Sequence, residues 1–396
     1  MTTIDDKKVG AALTALAVGM DRLERRLNAG EGPLDSEGLV PIYLGDDVVE
    51  PIELTSWQEA QEGFATLQSE VEAYPKGSRR TFLTSMLTSL ETAASLFQGQ
   101  TLSYSDKLTK LVGVPDRPVD ESTTDALRQG LDEGLGKMGF TRGSLKERVH
   151  RWEEERAFPS DKLPGVFREL MAEAKRRTDE MIFDTGDYDM ALDPVRGVPY
   201  TARCNFAEAK MDLNLDQSFG RAALKHLVCH EVYPGHATQL LYTLECAENG
   251  SSPADVLLCT TNGATGAVQE GIGDQGVFLV DWLEDEDDLI QSNLRRLRSA
   301  SQASAAWHLM TGDWDEEKTR HYLFEDAYGQ PAWVEGRLNF AKHPFRGPFI
   351  ASYWFGDEAV REVRERASEA QREAFVKFLY ENMNTPESLR MFPAHD

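Results

Sequence analysis

Apolar residues recur every three or four positions through the first half of the chain. That spacing predicts amphipathic helices over 7–29, 56–74, 78–99, 123–139, 143–157 and 165–183. Gly99 closes the third of these, and a proline-bearing loop at 159–164 precedes the last. Between 185 and 216 the pattern changes. Turn-forming residues there flank two short extended candidates, 198–205 and 209–214, which are expected to pair as a small antiparallel sheet. Helical spacing resumes over 224–242, 289–311 and 314–329, and a late helix follows the turn in 343–367. The chain therefore reads as mainly α, with an N-terminal helical region (1–184) and a second region (185–396) carrying the candidate chemistry, interlocked as one unit.

The segment Leu224–Tyr242, LKHLVCHEVYPGHATQLLY, concentrates more possible chemistry than any other. Pro234-Gly235 interrupts it, and a continuous helix would lose a hydrogen bond and clash there, so a kink or bulge is expected. His230 and His236 stand six apart, about 600° of rotation, which leaves them about 120° off a shared helical face. A regular helix could not present both to one ion. The Pro-Gly pair permits a local change of register that brings His236 back beside His230. His226, four residues before His230, shares its face and is a competing partner, but that pairing gives the break no purpose.

At these residues the chain resembles a family. HEVYPGH is similar to the HExxPGH(H) signature of domain of unknown function family 885, predicted metal hydrolases, and more distantly to gluzincin metallopeptidases. Their third zinc ligand is a glutamate on a later helix, often opening an ExxxD pattern whose aspartate supports a ligand histidine. Here Glu270-Gly-Ile-Gly-Asp274 follows His236 in that order. The resemblance implies a multi-helix gluzincin-like architecture with the β element beside the motif helix. It also implies one Zn²⁺ held by His230, His236 and Glu270, the two-imidazole, one-carboxylate set of open hydrolytic sites. Glu231 is then the general base toward a metal-activated water, and Asp274 orients a ligand imidazole. The late block HPFRGPFIASYWFGDEAVREVRERA (343–367) resembles that of the same family. It offers Tyr353 to hydrogen-bond the oxyanion, and Arg346 or His343 for a substrate carboxylate. Two departures bear on the site. Ala237 stands where members often carry a second histidine, and EGIGDQGV replaces a block that usually reads like EGWALYAE.

The implied function is hydrolysis of short peptides. A metal hydrolase of another amide or ester keeps the same residues, and a family member without turnover, in a structural or binding role, is the alternative from a different class. Other divalent transition metals could replace zinc in such a donor set.

Composition narrows the partners. The net charge is −25, from 67 acidic and 42 basic residues, which disfavours nucleic acid. Arginine outnumbers lysine about two to one, a balance that also suits a salt-rich cytoplasm. No apolar run approaches the ~20 residues that span a bilayer, and the first residues read as an amphipathic helix, so a cytoplasmic protein without membrane contact is expected. Cys204, Cys229, Cys246 and Cys259 form no CxxC pair and are expected to be reduced, with Cys229 a buried structural thiol. His150, His308, His321 and His395 are expected to be ordinary core or surface residues. The acidic run 281–288 is expected to be a solvated helix start, and LRRLRS (294–299) an internal ion-pair face.

Overall fold

The computed structural model describes residues 5–28, 32–34, 38–198 and 202–393. The first half is helical: α1 (Asp6–Asn28), α2 (Trp57–Glu72), α3 (Ser78–Phe97), α4 (Tyr104–Asp106, running into a π-helical turn), α5 (Glu121–Lys137), α6 (Leu145–Arg156) and α7 (Leu163–Met181). Three strands follow: β1 (Ala191–Val195), β2 (Ala202–Asn205) and β3 (Lys210–Asn214). Next come α8 (Arg221–Glu231), α9 (His236–Glu248), α10 (Gly266–Asp274), α11 (Gly276–Leu279) and α12 (Glu286–Thr311). The chain closes with α13 (Glu316–Glu325), α14 (Pro331–Ala341), α15 (Ser352–Arg366), α16 (Arg372–Tyr380) and α17 (Pro386–Arg390).

The predicted helices start where caps are available. Ser56 accepts from the Glu59 N–H at the head of α2, and Ser144 forms a reciprocal capping box with Glu147 at α6. Gly99, at φ +81°, lies just past the end of α3, a backbone region that suits glycine. The largest apolar cluster joins Val9, Leu90 and Trp152 to Leu258, Leu297 and Met383, so it draws on helices from both sides of residue 184.

The sheet differs from expectation. It is three-stranded and mixed, in the order β1-β3-β2. β2 pairs antiparallel with β3, as expected, but β1 runs parallel to β3 on the other side. β1 was not expected because it contains Pro194, which cannot donate to a ladder and is tolerated on an edge strand. Of the candidate strand 198–205, residues 199–201 lie outside the described residues. The sheet packs through Met211, Leu213 and Cys204 onto the same cluster as Val228, Val232 and Tyr233, which places it beside the HExxPGH segment.

The acidic start of α12 is only partly solvated. Asp285 caps the helix by accepting from the Asp288 N–H. Asp288 itself is buried and holds the Nζ of Lys225, which is 2% exposed, at 2.6 Å. Asp287 accepts from Trp152 and Arg156. The run is acidic because it anchors cations on α6 and α8 as well as facing a helix N-terminus.

Candidate metal centre

The sequence around Pro234 gives two helices and a tight turn rather than one kinked helix. α8 ends at Glu231, and α9 starts at His236. Across the turn, the Thr238 backbone N–H and hydroxyl both donate to the Val232 carbonyl, at 3.1 and 3.0 Å. Gly235 is required for the approach: a Cβ there would stand 1.8 Å from the His230 carbonyl oxygen. Tyr380 on α16 donates to the Pro234 carbonyl at 2.8 Å, and Tyr233 donates to the Tyr188 carbonyl beside the sheet. The turn, so pinned, swings His236 onto His230, their ring centroids 4.8 Å apart and planes at 83°.

α10 supplies the third group. Glu270 Oε2 lies 3.3 Å from His230 Nε2, and Oε1 lies 4.0 Å from His236 Nε2. Ligand atoms about 2.1 Å from an ion in tetrahedral array are about 3.4 Å from each other, so these separations suit a shared cation. Glu270 Oε2 is buried and accepts no hydrogen bond although Nε2 is within reach. An orphaned carboxylate oxygen of this kind costs free energy unless something is bound to it.

The electrostatics suit the same occupant. Burial, with the neighbouring His230, holds the His236 imidazole below its usual range, so its nitrogen is free to donate a lone pair at neutral pH. Burial pushes the Glu270 carboxyl up, but His230, His236 and Arg295 outweigh it and keep the group below the usual carboxylate range. Two imidazoles and one carboxylate are a fit for a divalent transition ion.

On the other side of the imidazole, His230 Nδ1 is 2.6 Å from Asp274 Oδ1. At that distance the carboxylate can accept the Nδ1–H, which would fix the tautomer with the Nε2 lone pair toward Glu270. Gly273 makes this possible, since a Cβ there would stand 2.7 Å from His230 Nδ1. Gly276 does the same against the backbone of α8 at Cys229, and Gly271 lets α10 close onto Gly356 of α15. The glycines of EGIGDQG are thus the contact points at which α10 and the start of α11 pack against α8 and α15. We expect Asp274→Asn to weaken metal binding 10- to 100-fold, read by competition with a chromogenic chelator.

Arg295 was not singled out from the sequence as a site residue. On α12 it donates to Asp274 and comes within 3.5 Å of His230 Nδ1. LRRLRS is an internal ion-pair face, with Arg296 on Asp357 and Glu358, and Arg298 on Glu153. Arg295 also decides between histidines. His226, His230 and Asp274 bring their ligand atoms within 4.8 Å as a second potential set. The guanidinium occupies the anionic member of that set, so a cation there would meet a fixed positive charge. His226 is buried and held well below its usual pKa range by burial and then by Arg295. In the set His230, His236 and Glu270 no arginine or lysine among the described residues is ion-paired to the carboxylate, although Arg295 lies near enough to bear on it.

Glu231, the last residue of α8, is half-buried near His236 and Glu270. The Cys204 thiol of β2 donates to its carboxylate, and burial followed by that carboxylate pushes the thiol well above its usual range. This places β2 against Glu231, a contact that no local pattern reveals. Cys229 is fully buried in the core, and all four thiols are free. Tyr353, on α15, packs edge-on against Phe349. Burial and then Glu270 push its phenol well above the usual range, with Glu231 adding to the effect, so it stays a proton donor. Arg346 is placed by a turn in which His343 Nδ1 accepts its backbone N–H at 2.9 Å, and its guanidinium lies over Phe340. His343 thus spends one ring nitrogen on the turn. His150 and His308 bond the Tyr328 carbonyl and Asp313, away from this centre, and His395 lies outside the described residues.

No family model matches the chain, and no curated protein matches it. Solved structures share its fold. One is described as "the putative lipoprotein from Colwellia psychrerythraea", with TM-score 0.60 and 15% identity, the match covering 85% of this chain and 62% of that one. Another is a "putative lipoprotein of unknown function from Shewanella oneidensis", with TM-score 0.55 and 15% identity over 84% of this chain and 70% of that one. The chain thus spans less than two thirds of the first of these neighbours. At this identity the likeness is one of fold. No described helix is long and apolar enough to cross a membrane.

Proposed function

We propose that the protein is a zinc-dependent hydrolase of short peptides, with His230, His236 and Glu270 as ligands in a gluzincin-like arrangement. The buried, unpartnered Oε2 of Glu270, facing His230 Nε2 at 3.3 Å, is the observation that carries this reading. A bound zinc would supply a water of lowered pKa and polarise the scissile carbonyl. The chain's own groups do the rest. Glu231 takes a proton from the attacking water as its oxygen bonds to the carbonyl carbon. The same carboxyl then delivers that proton to the leaving nitrogen as the C–N bond breaks. The Tyr353 phenol donates to the oxygen on which negative charge develops.

β2 is an edge strand, and Cys204 fastens it beside Glu231. An extended peptide can pair with such an edge through main-chain bonds, which tolerate varied side chains. That feature favours peptides over other amides and esters. The reading puts the protein in the cytoplasm, which its four free thiols support. The test is turnover of a mixed peptide library by zinc-loaded protein, with loss on chelation and recovery on zinc return. Tyr353→Phe is expected to lower kcat about 10²-fold with little change in KM. An unchanged kcat would remove Tyr353 from the mechanism.

A further inference from the structure

We propose that Arg295 limits the centre to one metal ion, its guanidinium holding the place of a second cation on His226 and Asp274. This rests on the metal-centre reading and extends it to how many ions the fold admits. The two donor sets share His230 but use opposite ring nitrogens: Nε2 faces Glu270, whereas Nδ1 faces Asp274 at 2.6 Å. His226 stands one helical turn before His230 on α8, so both imidazoles share a face, their ring centroids 5.8 Å apart.

His226 is 8% exposed, and its Nε2 is buried without a hydrogen-bond partner. Buried polar atoms are nearly always satisfied, so an idle nitrogen this close to a buried carboxylate marks a ligand position. Asp274 is not idle. Its Oδ1 faces His230 Nδ1 and also accepts from Arg295 Nη2, which itself comes within 3.5 Å of Nδ1. The guanidinium therefore lies on the atoms that a second ion would need. The 2.6 Å from Nδ1 to Oδ1 is a hydrogen-bond length, shorter than the ~3.4 Å between two ligands of one ion. The second set is thus filled by a hydrogen bond and a guanidinium, while the first, at 3.3 and 4.0 Å, keeps ligand spacing.

Arg295 compensates Asp274 and leaves the Nε2 side of His230 to the first ion. Replacing it by methionine strands a buried carboxylate without a counter-charge, a costly state that favours capture of a cation from solution. His226 and Asp274 then supply two ligands, and His230 Nδ1 a third once its proton has passed to solvent. α12 stays in place without Arg295, because Leu294 and Leu297 are buried and Arg296 and Arg298 hold Asp357 and Glu153.

The test counts zinc per chain by mass spectrometry after equilibrium dialysis of the full-length protein against excess zinc. Arg295→Met is expected to carry about one ion more than the wild type, and adding His226→Ala is expected to remove that increment. Arg295→Lys keeps the charge and is expected to match the wild type. No increment in Arg295→Met, an increment that survives His226→Ala, or a second ion in Arg295→Lys overturns the proposal. A second ion in the wild type that is lost on His226→Ala overturns it too, and that measurement needs no change at Arg295. If Arg295→Met does not fold, Arg295→Gln takes its place and is read the same way. The metal-centre reading is judged separately, by the wild-type ion and its loss in His236→Ala. A wild type without zinc would sink that reading, while the His226-dependent increment still decides this one.

Discussion

Glu231→Gln is expected to lower peptide turnover by 10² to 10⁴ while leaving zinc content unchanged. The amide is nearly isosteric with the carboxylate but cannot accept the water's proton. Glu231 is absent from the ligand trio, which is drawn from α8, α9 and α10, so its charge is not needed to hold the ion. A structural metal protein behaves oppositely, losing stability on chelation and ignoring this substitution. The measurement is kcat/KM on a cleaved peptide alongside metal analysis of the same preparation. A variant that loses zinc with its activity would make Glu231 a ligand instead of a base. One that keeps full turnover would remove it from the chemistry.

The second large effect is structural. Lys225→Met is expected to cost about 3–5 kcal/mol in urea unfolding, because it strands a buried charge. Lys225 Nζ holds Asp288 and Glu284, each at 2.6 Å, and Asp288 is buried as well as the lysine. Removing the cation leaves Asp288 with only the Glu284 backbone N–H, to ionise without a counter-charge or to bind a proton. Lys225→Met with Asp288→Leu is expected to recover most of the loss, since replacing both members of a buried pair by apolar groups is often neutral. The pair matters for the site because Lys225 sits on the helix that carries His230 and Glu231. A cost below about 1 kcal/mol would show that Asp288 finds another partner.

The sequence exposes the helices well because apolar spacing is a local property, and the caps at Ser56 and Ser144 lie within three residues of what they bond. The break at Pro234-Gly235 is legible too, but its form is not. Whether the chain kinks or starts a new helix depends on Gly235 meeting the His230 carbonyl and on Tyr380, some 146 residues away, reaching Pro234. β1 is hidden because Pro194 argues against a strand, and the parallel pairing that tolerates it is not local. The ligand candidates His230, His236 and Glu270 can be named from spacing and resemblance, and the fold brings them together. Their support cannot be so named. Arg295 meets Asp274 from another helix, Cys204 meets Glu231 from a strand, and Gly273 matters only because an imidazole fills its missing side chain.

His230, His236 and Glu270 are proposed to hold one metal ion. The most direct measurement is metal content by mass spectrometry on protein purified without chelator, wild type beside His236→Ala. About one zinc per chain in the wild type, lost in the variant, is the predicted result. No metal in the wild type even after zinc is added back, or equal zinc in both proteins, would contradict the account.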